Sequence, residues 1–274
     1  MIPTTDGLLV AADSRAALGE RTYDSGFKIV ELARPHPTVI TVTGEGIFVG
    51  APPPDVDDLD HYLRAAPRLL DAEGVVQRLL EANPQRLTGD IVQVLADQCA
   101  SAVDRFCEQC PAVVERFAGA PMFTVVVGSF DPDHDRALMA QVVTGVDADG
   151  RRGEVRAAML WEKHAGEKRE TFLFGETEYV QRHVLVRREF LRTYRSFVAN
   201  GRTVHETPVD DAMAAATNLI EAAARTTDSV AEAPRIGGPI DVVLLGRDPR
   251  PLRLRWKSSW RGPQRAGNVT FPAR

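Results

Sequence analysis

Two apolar stretches near the start of the chain, residues 8–13 and 38–43, constrain its architecture more than any other feature. Both are short and almost uninterrupted, the pattern of strands buried in a sheet. The sequence between them holds Gly19 and Gly26 among charged residues and reads as a turn region. The two strands are therefore expected to pair as part of one sheet. The first ends on Asp13-Ser14-Arg15, so a charged cluster is placed at the end of a core strand.

The chain is long enough to bury an extensive core, with 274 residues of which 44% are hydrophobic, and one large domain suffices to hold it. A net charge of −5 argues against nucleic acid as the main partner, because proteins that neutralise phosphate carry a basic surplus. No apolar run approaches the roughly 18 residues of a membrane span. The opening Met1-Ile2-Pro3-Thr4-Thr5-Asp6 has neither the charged start nor the apolar centre of a signal peptide. The expectation is a cytoplasmic protein with no nucleic-acid and no membrane partner.

Further along, Pro52-Pro53-Pro54 stops the first sheet, and Val56, Leu59, Leu63, Leu69 and Leu70 give a partly helical spacing broken at Pro67. Thr88 or Asp90 caps a longer helix, in which Ile91, Val94, Leu95, Ala102, Val103, Phe106 and Cys110 recur on one face until Pro111. The β-branched run at 122–128 and the apolar run at 138–143 flank a turn-rich Asp131-Pro132-Asp133-His134-Asp135 and read as neighbouring strands. Asp147-Ala148-Asp149-Gly150 supplies a hairpin turn before a strand at 155–161, and 171–175 adds another. Thr207-Pro208-Val209-Asp210 opens an Ala-rich helix over 208–227, with Pro at its first position. Gly237-Gly238-Pro239 then leads an apolar strand, Ile240 to Leu245, back into the core.

Several candidate sites reduce to structure. Cys107-Glu108-Gln109-Cys110 has redox or metal spacing but falls late in a helical pattern, with no nearby His to complete a zinc site. With Cys99, these read as small helix-face residues and not as a disulfide framework. The six histidines, His36 and His134 among them, lack the paired spacing of a helix-borne metal site and read as surface or capping residues. Ser129 lacks the second glycine of a nucleophile elbow. No metal and no cofactor are expected. Residues 246–274 carry eight basic residues against Asp248 alone. They read as a basic extension, 247–274, in which Leu252, Leu254 and Trp256 alternate onto a sheet edge.

The run Asp6-Gly7-Leu8-Leu9-Val10-Ala11-Ala12-Asp13-Ser14-Arg15, then Phe27-Lys28-Ile29-Val30, then Val42-Thr43-Gly44, resembles the catalytic strand pair of proteasome β-type subunits and bacterial proteasome-like N-terminal-nucleophile (Ntn) hydrolases. The Ala-rich helix followed by Gly237-Gly238 and Ile240-Asp241-Val242-Val243 is similar to the last helix and strand of the same family. The resemblance implies an α+β fold, a four-layer αββα sandwich over residues 1–246, in which two antiparallel sheets are flanked by helices and subunits self-associate into rings. It also implies hydrolysis of a peptide or amide substrate by an N-terminal threonine whose own α-amino group acts as base.

On that resemblance Asp13 is the buried carboxylate that orients the catalytic lysine, Arg15 the basic residue after it, and Lys28 the lysine whose charge lowers the proton affinity of the nucleophile. Gly44 is the backbone N–H donor to the oxyanion. The threonine itself is expected roughly four residues upstream of Met1, since Thr4 and Thr5 lie too close to Asp13. Bulky Ile2 disfavours removal of Met1. Other positions depart from the family. Gly175-Glu176-Thr177 stands where Gly-Ser-Gly is common, and Ala233-Pro234-Arg235-Ile236 stands where an Asp and a Ser are expected. The sequence thus points to a proteasome-like peptidase or amidohydrolase, with a non-catalytic ring or scaffold subunit of the same fold as the alternative.

Overall fold

A computed structural model describes residues 1–18, 21–23, 28–32, 34–49, 68–162, 173–174, 207–230 and 236–255. The first sheet has four strands in the order β1 (Ile2–Thr4), β2 (Gly7–Asp13), β12 (Ile240–Leu245) and β13 (Leu252–Arg255). The second has five, in the order β11 (Arg156–Glu162), β10 (Arg136–Val146), β9 (Ala120–Asp131), β6 (Thr38–Gly44) and β5 (Val30–Leu32). Every pairing within both is antiparallel. Two short ribbons complete the strands: β3 (Ala16–Leu18) with β4 (Arg21–Tyr23), and β7 (Ile47–Val49) with β8 (Arg68–Asp71).

Side-chain alternation explains the layering, because successive residues of a strand point to opposite faces. Along β2 and β12, Leu8, Val10, Val243 and Leu245 face the second sheet and pack with Val39, Phe130, Ala137 and Met139. The alternate residues Leu9, Ile240, Val242 and Leu244 pack instead against Ala212 and Met213 of helix α4 (Val209–Val230). The second sheet is buried on both faces in the same way. Its Ile40, Val125, Val127, Leu138, Ala140 and Val142 form the largest core with helices α1 (Ala72–Ala82) and α2 (Gly89–Gln109). The order of layers is therefore helix, sheet, sheet, helix, a mixed α+β sandwich.

Local chemistry sets the helix limits. Asp71 caps α1 by accepting the Gly74 N–H at 3.0 Å, and Thr88 caps α2 through its hydroxyl, which accepts the Ile91 N–H at 3.4 Å. Pro111 begins a separate short helix, α3 (Pro111–Val114), followed by a single 3₁₀ turn, Glu115–Phe117. In α4 the Ala212 N–H donates to the Pro208 carbonyl, so the helix starts at Val209, one residue after the expected proline.

Two sequence expectations are corrected. Residues 8–13 and 38–43 do not pair: β2 and β6 lie in different sheets and meet face to face, Leu8 and Val10 packing with Val39. Both strands are apolar on both faces, so periodicity gives no means of choosing between an edge partner and a facing one. Leu69 and Leu70 belong to β8 and not to a helix, because Asp71 caps α1 only after them. Of the strand expected at 171–175, Leu173 and Phe174 have no regular structure and the rest lies outside the described residues, as do 50–67.

At the far end of β9 the buried Asp131 ties three connections together. Its Oδ1 accepts the N–H groups of Asp133 and His134 at 3.1 and 3.3 Å, and Oδ2 lies 2.9 Å from His134 Nδ1 and 3.5 Å from Arg86 Nη1. His36, between β5 and β6, places Nδ1 3.8 Å from Oδ1. Burial alone would raise the Asp131 pKa, but the hydrogen bonds from His134 and the charges of His134 and His36 outweigh it and hold the carboxyl below its usual range. A depressed carboxyl pKa stabilises the fold above the unfolded value and is lost as pH falls through the folded one. Asp131→Asn is expected to cost about 2 kcal/mol in urea denaturation at pH 7. The difference between variant and wild type should shrink as the pH is lowered from 5 toward 3.

Candidate functional site

The second charged cluster sits at the opposite end of the sandwich, where β2 runs out. Strand β2 is apolar from Leu8 to Ala12 because both of its faces are covered, so its first charged side chain is Asp13, the last residue of the strand. Asp13 stands opposite Ile240, the first residue of β12. Beyond that pair the two chains stay together through loop contacts. The Ser14 and Arg15 N–H groups donate to the Gly237 carbonyl at 3.1 and 2.9 Å, and the buried Ser14 hydroxyl donates to the Pro239 carbonyl at 2.6 Å.

Both oxygens of Asp13 are engaged. Oδ1 accepts from Lys28 Nζ at 2.6 Å, while Oδ2 accepts the Gly237 N–H at 2.9 Å and the Arg15 N–H at 3.3 Å. The lysine therefore meets a carboxylate whose orientation is set by backbone donors, a charge-assisted arrangement that neither group could hold alone. The pair is half-buried, with side-chain exposures of 27% for Lys28 and 13% for Asp13, so the ammonium is reachable from solvent. Arg15 turns away from Lys28, and its Nη1 donates to the Ile236 carbonyl at 3.4 Å.

Of the four residues expected at the site, three come together: Asp13, Arg15 and Lys28. Gly44 ends β6 and has no hydrogen bond to any of them. Its φ of +78° belongs to the left-handed region, and a Cβ there would lie 2.5 Å from the Met122 carbonyl oxygen. Ser14, Gly237, Pro239 and Asp241 enter the sequence reading only as parts of motifs and not as site residues, although Gly-Gly-Pro directly before an apolar strand is the signal that a backbone must pass close to something. Asp241, buried opposite Ala12, is a further carboxylate at this end of the sheet.

The cysteines behave as helix-face residues. Burial pushes the Cys99 thiol up to about 12, and burial, followed by the charges of Asp104 and Asp147, raises that of Cys107, so neither favours the reactive thiolate. Among the described residues no group of three or more His, Cys, Asp or Glu side chains has the geometry of a metal site. No helix among them is long and apolar enough to cross a membrane. In β13, Arg253 forms a two-pronged ion pair with Glu31 of β5, at 2.8 and 3.0 Å, which joins the edges of the two sheets.

No protein-family model matches the sequence, and no curated protein matches it. Among solved structures, that of Anbu from Hyphomicrobium sp. strain MC1 is similar at 15% identity and a TM-score of 0.40, over 93% of this chain and 85% of that one. A likeness this distant carries no argument about the site.

Gly44→Ala is expected to destabilise the protein by about 2 kcal/mol or more, because the new Cβ adds a left-handed backbone strain to a clash with main chain that cannot swing aside. Chemical denaturation against the wild type checks this. Full stability in the variant would show that β6 can end without its glycine.

Proposed function

We propose that this chain is a proteasome-like Ntn hydrolase whose Asp13, Arg15, Lys28 and Gly44 serve a nucleophile lying upstream of Met1. The observation that carries the reading is the 2.6 Å contact of Lys28 Nζ with an Asp13 carboxylate fixed by backbone N–H groups. A cation held at the open end of a core strand favours loss of a proton from a nearby hydroxyl, which is what an N-terminal threonine requires.

The strand register supports the expected position of that threonine. Ile2, Pro3 and Thr4 stand opposite Leu9, Leu8 and Gly7, so each step back along β1 moves one step forward along β2. Continued in the same register, a residue four places before Met1 stands beside Ser14 and the next one beside Asp13. A hydroxyl there would attack the substrate carbonyl and pass its proton to its own α-amino group, which would hand it to the departing amine as the C–N bond breaks and an acyl-enzyme forms. Water would then cleave the acyl ester, its OH leaving in the acid and its proton restoring the hydroxyl. In this reading Lys28 supplies the field, Asp13 holds it in place, and the Gly44 N–H is offered to the oxyanion. The protein would work in the cytoplasm as a ring-forming oligomer, with residues 247–274 as a basic extension.

A second reading, a non-catalytic ring or scaffold subunit of the same fold, is favoured by one observation. The Asp13, Ser14 and Arg15 contacts given above, apart from those to Lys28 and between Arg15 and Asp13, run to the segment leading into β12, as contacts made for structure would.

Intact mass and N-terminal sequencing of the protein from its native host separate the two. The hydrolase reading expects a mature Thr, Ser or Cys terminus about four residues before Met1. It also expects cleavage of peptide amides that falls at least about a hundredfold in Lys28→Ala with assembly unchanged on size-exclusion chromatography. A mature terminus at Met1, or undiminished turnover in Lys28→Ala, overturns it.

A further inference from the structure

We propose that Arg15 is a positioning residue for the Lys28 ammonium, acting through Gly237 and Asp13 and not by direct contact. The inference deepens the reading of Lys28 as the cation of the site, and rests on it.

The argument follows the contacts outward from the lysine. Lys28 sits on a flexible four-carbon stem, and Asp13 Oδ1 at 2.6 Å is its hydrogen-bonding anchor. A carboxylate held by one partner alone can rotate its plane, so the place of Oδ1 depends on what holds Oδ2. Its nearer partner is the Gly237 N–H at 2.9 Å, with the Arg15 main-chain N–H at 3.3 Å. Gly237 in turn lies against Arg15: a Cβ built on it would fall 2.5 Å from Arg15 Cζ and 2.8 Å from both Nε and Nη1. The planar guanidinium therefore rests on the bare Cα of the glycine. From there Nη1 reaches the Ile236 carbonyl at 3.4 Å, while the Arg15 main-chain N–H holds the Gly237 carbonyl at 2.9 Å. Arginine grips residues 236 and 237 with both its side chain and its backbone. A lysine at position 15 would offer a point charge in place of a flat surface and could not take its place.

Two cations at one site make the sign of the effect diagnostic. If Arg15 acted on Lys28 only by charge repulsion, its removal would tighten the Lys28–Asp13 pair and slow reaction of the amine. If it acts by positioning, its removal leaves Gly237 held only by the main-chain N–H groups of residues 14 and 15, lets the Asp13 carboxylate turn and loosens the ion pair, so the amine reacts faster.

The test is acetylation of the full-length protein at pH 8 with an N-hydroxysuccinimide ester. Lys28 is followed by peptide mass spectrometry and normalised to the other lysines, below the unfolding transition of each variant. Arg15→Ala is expected to raise the Lys28 rate about tenfold, the equivalent of about 1.4 kcal/mol of lost interaction. Asp13→Asn should raise it similarly, and the double variant no further, because both act through one carboxylate. An unchanged or slower rate in Arg15→Ala overturns the proposal, and so does a further increase when Arg15→Ala is added to Asp13→Asn. If Arg15→Ala does not fold, Arg15→Lys decides, since it keeps the charge and removes the flat surface that rests on Gly237. A faster Lys28 supports the proposal and an unchanged one overturns it. The reading concerns the amine itself, so its failure is separable from any loss of turnover.

Discussion

Strands β2 and β12 are buried on both faces, and the rest of the molecule is arranged around that fact. One face of the pair meets Val39, Phe130 and Met139 of the second sheet, and the other meets α4. Removing both faces from water is favourable in proportion to the apolar area covered. It also leaves little room for an unpaired charge within the strands, where desolvation would be costly. The sandwich therefore gathers its charges where strands end. Asp13 and Lys28 meet at one end of β2, and Asp131 collects His134, Arg86 and His36 at the end of β9.

The two ends solve the same electrostatic problem differently. Asp131 is almost wholly buried and has its oxygens directed at loops, so its work is to join them. Asp13 divides its oxygens between a backbone donor and a lysine that remains partly exposed. The second arrangement holds a partly exposed ammonium on a carboxylate oriented by backbone donors, and for that reason it is the better candidate for chemistry.

Much of the architecture was legible in the chain. Helix α2 was marked by Thr88, a repeating apolar face and Pro111, and the β9–β10 hairpin by two β-branched runs around a cluster of turn residues. These signals are local, arising from capping, backbone preference and periodicity within one element. Strands such as β1 and β5 are only three residues long and hold their places through neighbours in the sheet, so periodicity had too few residues to reveal them, whereas the alternation of Leu252 and Leu254 did mark β13 as an edge strand. The split of residues 8–13 and 38–43 between sheets escaped for a related reason. Strands apolar on both faces carry no label that tells an edge-on partner from a face-on one.

The site divides along the same line. The sequence by itself placed Asp13 at the end of an apolar stretch and supplied a glycine at position 44, whereas the left-handed turn of the backbone there belongs to the fold. It also supplied a lysine and an arginine close enough along the chain to be recruited. The tertiary structure alone decided that Asp13 takes Lys28 on one oxygen and Gly237 on the other, and that Arg15 lies flat on that glycine. Gly237 is 224 residues away from Asp13 in sequence, and only the pairing of β2 with β12 brings them within hydrogen-bonding distance. Local chemistry chooses the ends of elements, whereas a contact across that separation exists only once burial has stacked the sheets.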